Sequence, residues 1–359
     1  MNSLRFFNIL CLNCIGSVFF GVANAANPED TATALAVAAG VKTGLCAIPD
    51  AGDGSLAAAF AKKGFVVWAS NPDAGKFEAA RLAQADSGLL GRSLYLETSR
   101  PGNIALADRS ADLVILNVSN PALLQSLTAA EVLRVLSPYN GVALIGPLST
   151  ANEPAIKEWA KSLPGVTGKE VAGTRWLMAR RGALEGGQPW SHWFCTPDNN
   201  PVSADSAFDL PTEIQWLGKP YSYPRHVGCR VAANGRVFVM IGASGSAGVP
   251  DDMSDADGKT HQIVARSIFN GSVLWRRPID KDRRVLQSAM VADGDRLWLA
   301  DGQNVLLLDA ATGEEKMRVP VGKEGESCKW IALSGGILTA LAGANDPPET
   351  YFGDYSKLL

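Results

Sequence analysis

The sequence predicts two folded units of different class: a doubly wound α/β unit built on a parallel sheet, followed by an all-β unit of antiparallel strands. Three observations predict this. Between about Val41 and Arg181, short apolar runs alternate with helix-like stretches, the pattern of a parallel sheet covered on both faces. Beyond about Pro201 the helical period disappears, and short strands recur around Asn-Gly and Asp-Gly turns. A chain of 359 residues is also long enough for two cores of ordinary size.

Composition narrows the class further. Hydrophobic residues make up 47% of the chain and charged residues 19%, so enough apolar surface exists to fold and a disordered chain is excluded. Lys plus Arg number 33 against 36 for Asp plus Glu, a net charge of -3. No bulk positive field is present, so nucleic acid is not an expected partner.

Read in order, residues 1–25 are an address. Arg5 supplies a positive start, residues 6–22 form an apolar run interrupted by Asn8 and Asn13, and Ala23-Asn24-Ala25 places small residues at the cleavage positions. The two Asn, Gly16 and the small-x-small ending favour a cleaved signal peptide over a retained membrane anchor. The expected mature chain starts near Ala26, is exported to the periplasm or outside the cell, and has no membrane contact after cleavage. Cys11 and Cys14 leave with the signal; Cys46, Cys195, Cys229 and Cys328 remain, open both to disulfides and to burial as small hydrophobes. No His or Cys has metal-ligand spacing, so no metal site is expected.

The α/β unit is expected over residues 26–187. Strands are predicted at 44–48, 65–69, 93–96, 113–117 and 142–145, with helices at 56–63, 75–85, 122–136 and 153–162. Residues 188–224, rich in Gly, Pro, Trp and Asn, read as a linker and entry to the second unit. That unit occupies 225–359. Its hairpins are 230–233 with 237–241 around Asn234-Gly235, 262–267 with 272–276 around Asn270-Gly271, and 289–291 with 296–300 around Asp293-Gly294. Such dipeptides suit a type I′ turn, whose two central residues need positive φ.

The first strand ends at Pro49 and is followed by Asp50-Ala51-Gly52-Asp53-Gly54-Ser55-Leu56 and a helix. This resembles the acidic-x-Gly-x-Gly loop of class I S-adenosylmethionine-dependent methyltransferases. Gly52 and Gly54 permit a tight turn, so a cofactor's amino-acid end can approach the amides at the helix start. The resemblance covers about 140 residues. It implies a Rossmann-like methyltransferase fold and S-adenosyl-L-methionine held through Asp50, Gly52, Gly54 and Asn71, with Asp112 nearby at the start of the fourth strand. Leu56 stands at the family's third Gly, and Asn71 where an acidic residue usually meets the ribose hydroxyls. Asn117-Val118-Ser119-Asn120 lacks the Asn/Asp-Pro-Pro-aromatic run of amino-methylating enzymes, and no catalytic residue can be named.

Residues 263–275, with Asn270-Gly271 and Trp275, and 305–314, with Asp309 and Thr312-Gly313, share an apolar strand, a Gly-closed turn and a returning strand. The copies lie about 42 residues apart, a spacing within the propeller range. They resemble blade motifs of pyrroloquinoline-quinone-type β-propellers, in which Gly supplies the turn, Asp and Thr oxygens tie down its amides, and Trp fills the gap between blades. At about 40 to 45 residues per blade, the all-β unit holds too few for a closed ring. An incomplete, propeller-like array is expected, either part of a longer reading frame or completed by another chain.

Other candidates have bland readings. The acidic run at 251–258 misses calcium-loop spacing at Met253, His192, His226 and His261 are isolated, and no G-x-S-x-G elbow occurs. Three functions stay open: a methyltransferase; a non-catalytic exported scaffold whose propeller meets a protein partner; and a fragment of a quinone-dependent oxidoreductase, with pyrroloquinoline quinone not expected to be held by this chain alone.

Overall fold

The computed structural model describes residues 27–100, 102–119, 122–207, 214–218, 227–241, 262–279 and 288–345. The expected signal, the acidic run, His226 and His261 lie outside them.

The α/β unit begins with a helix that the sequence reading omitted, α1 (Pro28–Ala39). Asn27 caps it by accepting from the Glu29 amide, Pro28 sits in its first turn, and Gly40 ends it at φ 70°. Ala32, Leu35 and Ala39 form its buried stripe. Then come β1 (Gly44–Ile48), α2 (Ser55–Lys62), β2 (Phe65–Asn71), α3 (Ala74–Ala83), β3 (Leu94–Thr98) and β4 (Leu113–Asn117). The helix expected over 122–136 is two: α4 (Ala122–Ser126) and α5 (Ala129–Val135). Thr128 breaks it, adopting an extended conformation and capping α5 by accepting from the Glu131 amide. β5 (Val142–Leu148), α6 (Glu153–Ala160), β6 (Thr167–Val171) and β7 (Thr174–Arg180) complete the unit.

These seven strands form one sheet in the order β3-β2-β1-β4-β5-β7-β6. β1 to β5 run parallel. The strict alternation expected to Arg181 is corrected at the end, where β6 and β7 form an antiparallel hairpin and β7 pairs antiparallel with β5. Alternation within the buried strands builds two cores. Cys46, Ile48, Leu113 and Ile115 face the layer holding α1 and α2, whereas Ala47, Val114 and Leu116 face α5 and α6. The unit is therefore doubly wound, with chain order reversing direction between β1 and β4.

The second unit contains several antiparallel sheets. β8 (Val227–Ala233), β9 (Arg236–Ile241), β10 (Gln262–Ser267) and β11 (Val273–Pro278) form one four-stranded meander. β12 (Met290–Asp293), β13 (Arg296–Asp301), β14 (Asn304–Asp309) and β15 (Glu315–Pro320) form a second, and β16 (Glu326–Ser334) with β17 (Ile337–Ala344) a hairpin. No closed ring exists among the described residues. The first strand of each sheet lies against the first strand of the next, β8 on β12 and β12 on β16.

Within the segment expected to link the units, residues 190–192 lie as a strap across those first strands. Ala232 N–H donates to the Trp190 carbonyl (2.7 Å), Ala292 N–H to the Ser191 carbonyl (2.9 Å), and Leu333 N–H to His192 Nε2 (3.0 Å). One short segment thus touches all three sheets. Cys46, Cys195, Cys229 and Cys328 are all buried and unpaired.

Turn chemistry explains the sheet spacing. Asp309 Oδ1 accepts from the Ala311 and Thr312 amides, both at 3.0 Å, and from Thr312 Oγ1 at 3.1 Å. Gly313 completes that turn at φ 73°, and a Cβ there would lie 2.8 Å from the Trp275 ring. Trp275 Nε1 donates to the Ala310 carbonyl at 3.0 Å, so the Trp bridges the first two meanders. Trp216 repeats the arrangement one step earlier: it packs on Gly271 and donates to the Ile268 carbonyl at 2.9 Å.

Candidate functional site

In a doubly wound sheet, ligands bind outside the carboxyl ends of the strands where chain order reverses. Here that place lies beyond Ile48 of β1 and Asn117 of β4. The loop after β1 is held from below. Ala51 is buried, and its amide donates to the Ser70 carbonyl at the end of β2 (2.9 Å). Gly54 N–H returns to the Ala51 carbonyl (2.9 Å), closing a tight turn that leads into α2. Gly52 has φ 56° and Gly54 has φ 78°, conformations in which a side chain is strained.

The two glycines serve different purposes. A Cβ on Gly54 would lie 3.3 Å from the Ala80 Cβ, so this residue lets the loop pack on α3. Around Gly52 an added Cβ would meet nothing within 4 Å, so its outer side is open. Gly54 is the N-cap of α2 and offers no side chain, and the Asp53 carboxylate of the loop meets the first amide of the helix. Asp53 is tied back by the Ser55 amide (3.0 Å) and hydroxyl (2.7 Å), and these bonds hold its carboxyl below the usual range. Asp50 lies half-buried at the base of the loop.

Asn71 takes a different place from the one its sequence position implied. It is 2% exposed and sits beneath the loop, with Nδ2 donating to the Gly52 carbonyl (3.2 Å) and Oδ1 accepting from the Asp73 amide (3.2 Å). Its side chain braces the turn and is not presented to a ribose. The acidic group that sequence reasoning missed is Asp73. It is exposed and caps α3 by accepting from the Lys76 amide (2.9 Å) through Oδ1. The Asn-Pro-Asp order after an apolar strand, directly before a helix, was the available signal.

Asp112 is a correction. It precedes β4 and therefore lies at the amino edge of the sheet, opposite the glycine loop. There it is buried, accepting from the Leu45 amide (2.9 Å), Ser137 Oγ (3.3 Å) and Asn270 Nδ2 (2.6 Å) of the second unit. Burial pushes its carboxyl up to about 6, against the lowering effect of these three donors. The structure thus gathers Asp50, Gly52, Gly54 and Asn71 at one edge and places Asp112 at the other.

The same amino edge is where the units join. Asn270 Nδ2 also donates to the Ser110 carbonyl (2.6 Å), Asn140 Nδ2 to the Asn234 carbonyl (2.7 Å), and Arg236 to Asn140 Oδ1 (3.0 Å). Among the described residues no cluster of three or more His, Cys, Asp or Glu is placed to hold a metal ion.

No family model and no curated protein matches the chain. Solved structures do. A protein of Methanococcus maripaludis put forward as an S-adenosyl-L-methionine-dependent methyltransferase is 17% identical, covering 45% of this chain and 87% of its own, with a TM-score of 0.39. The precorrin-6y C5,15-methyltransferase of Geobacter metallireducens is 14% identical over 43% of this chain and 86% of its own, at TM-score 0.33. An S-adenosylmethionine-dependent O-methyltransferase of Thermotoga maritima is 15% identical over 43% of this chain and 65% of its own, at TM-score 0.34. Over this part of its length the chain is similar to these proteins.

Proposed function

We propose that the α/β unit binds S-adenosyl-L-methionine at the carboxyl edge of its sheet and acts as a methyltransferase-type domain. One observation carries the reading: a turn with two positive-φ glycines at the switch point, its outer glycine facing open space just before α2. The residues present fit the group. Gly52 allows a ligand to approach the loop backbone closely at the start of α2. Asp73 is the exposed carboxylate beside the loop available to hydroxyls. When bound, the sulfonium supplies an electrophilic methyl group. This chain's own contribution is to hold and orient the donor.

A second reading rests on Asn71. With its amide spent beneath the loop, the ribose contact implied by the family is absent, which suits a binding or scaffold domain without turnover. In either reading the second unit is an incomplete, propeller-like array, supported by two consecutive four-stranded meanders whose turns receive Trp216 and Trp275. The signal-like sequence of the first 25 residues supports a reading in which the protein is exported, its second unit meeting a protein partner through its sheets.

Calorimetric titration of the full chain with S-adenosylmethionine and S-adenosylhomocysteine tests the proposal. Saturable heat at micromolar ligand, weakened at least tenfold in Gly52→Ala and in Asp73→Asn, is expected. A folded chain that gives no heat with either ligand overturns it. Binding of both ligands with no methyl transfer to any offered acceptor favours the scaffold reading.

A further inference from the structure

The two units enclose a cavity of about 400 Å³ along the amino edge of the parallel sheet. Its walls come from the turn between α1 and β1, the segment before β5, the end of β7 and three turns of the second unit. Its size and its place between two folded units are those of a small-molecule site. It lies on the opposite side of the sheet from the glycine loop, so nothing here depends on the methyl-donor reading.

The charges on the wall show what it would take. Asp112 already accepts three hydrogen bonds. Arg236 is paired with Asp295 (2.7 Å) and with Asn140, and Glu314 with Lys316 (2.9 Å). Two cations remain, Lys42 and Arg180. Among the described residues neither has a carboxylate partner. Arg180 is positioned by a neutral contact, its Nη2 donating to the Ala39 carbonyl at the end of α1 (2.7 Å). Its other guanidinium donors keep the fork geometry that suits an oxyanion. The same cavity is also lined by the apolar side chains of Phe269 and Leu274. Phe269 is itself held by stacking on Tyr139, with centroids 6.5 Å apart.

We propose that this cavity binds a small organic anion, its carboxylate or phosphate held by Arg180 and Lys42 and its apolar body lying on Phe269 and Leu274. Because both units contribute, the ligand would bridge them and tie the second unit to the first.

Saturation-transfer NMR titrations of the full chain with benzoate and with phenyl phosphate test this, with benzyl alcohol as the uncharged probe of similar shape. One or both anions are expected to bind saturably and the alcohol at least tenfold more weakly; the tighter anion identifies the head group. Lys42→Gln is expected to weaken anion binding about threefold, the effect of one ion pair made by an exposed ammonium. Arg180→Gln should do the same, and Arg180→Lys should recover part of the loss. Arg180 also braces α1, so a failure of its variants to fold is separated by Lys42→Gln, in which an exposed side chain loses no bond. Gly52→Ala should leave the titration unchanged. The proposal is overturned if neither anion binds at millimolar concentration, if the alcohol binds equally well, or if Lys42→Gln leaves anion binding intact.

Discussion

The two edges of the parallel sheet are built from the same kinds of residue and put to opposite uses. At the carboxyl edge the backbone is exposed where Gly52 turns, and side chains such as Asn71 and Asp53 work inward to hold the loop. At the amino edge the polar groups are buried between two folded units, and a carboxylate, Asp112, is taken out of water. An open edge retains hydrogen-bonding capacity for a ligand. A closed edge spends it on assembly, because buried polar groups must find partners.

The largest expected effect is at the closed edge. Asp112 has a folded pKa raised from the ordinary 3.8 to about 6, so it contributes stability that is fully present below 3.8 and lost as pH rises through 6. At about 1.4 kcal/mol per pH unit, the loss is on the order of 3 kcal/mol. Urea unfolding of wild type and Asp112→Asn at pH 4, 5, 6 and 8 should show the wild type losing stability relative to the variant as pH rises through this window. A constant difference would mean that the carboxylate does not titrate there.

Next is the donor that crosses the seam. Asn270→Ala removes the 2.6 Å bonds to Asp112 and to the Ser110 carbonyl and should cost about 2 kcal/mol, since one acceptor is charged and both stay buried. The loss should be greater at pH 8 than at pH 5, where Asp112 is protonated. Equal losses at the two pH values would show that the bond is insensitive to the charge.

The open edge should respond weakly in stability and strongly in binding. Gly52→Ala meets no neighbour and suffers only the positive-φ penalty, about 1 kcal/mol in a thermal or urea melt. A loss above 3 kcal/mol would show that the loop is packed rather than open.

The smallest effect concerns His192 in the strap. Burial lowers its pKa below 6.5, and Nε2 must be unprotonated to accept from the Leu333 amide. Its contribution is therefore present above 6.5 and lost as pH falls below it, opposite in sign to Asp112. His192→Gln should remove that part of the pH profile while leaving the Asp112 part in place, and an unchanged profile would assign the strap's stability to its backbone bonds alone.

Legibility followed burial. β4 occupies the residues expected from sequence, and β1 does too, because both are central strands with continuous apolar runs. The hairpins around Asn234-Gly235, Asn270-Gly271 and Asp293-Gly294 are also where their turns placed them. The hairpin β6–β7 was not legible: four of the five β6 residues are exposed and the strand carries Gly, Lys and Glu, so its apolar signal is absent. The bend at the candidate site was readable from Gly52 and Gly54, but the inward turn of Asn71 was not. Which way an amide points depends on where the next backbone carbonyl lies. Asp112 precedes a strand of the parallel array and so lies at the amino edge, a consequence of strand direction that its place in the chain does not display.

Local chemistry alone determined the alternation of strand and helix, the Gly and Asn turns, and the change of class near residue 200, since each depends on side-chain period or on the φ a residue tolerates. Only the tertiary structure decided that residues 190–192 cross three sheets, that Asn270 both holds its own turn through Ser272 and reaches across to Asp112, and that two units line a cavity with two cations that have no carboxylate partner among the described residues. Those outcomes depend on distances between residues far apart in the chain, such as Asp112 and Asn270, and these are set by the packing of whole elements.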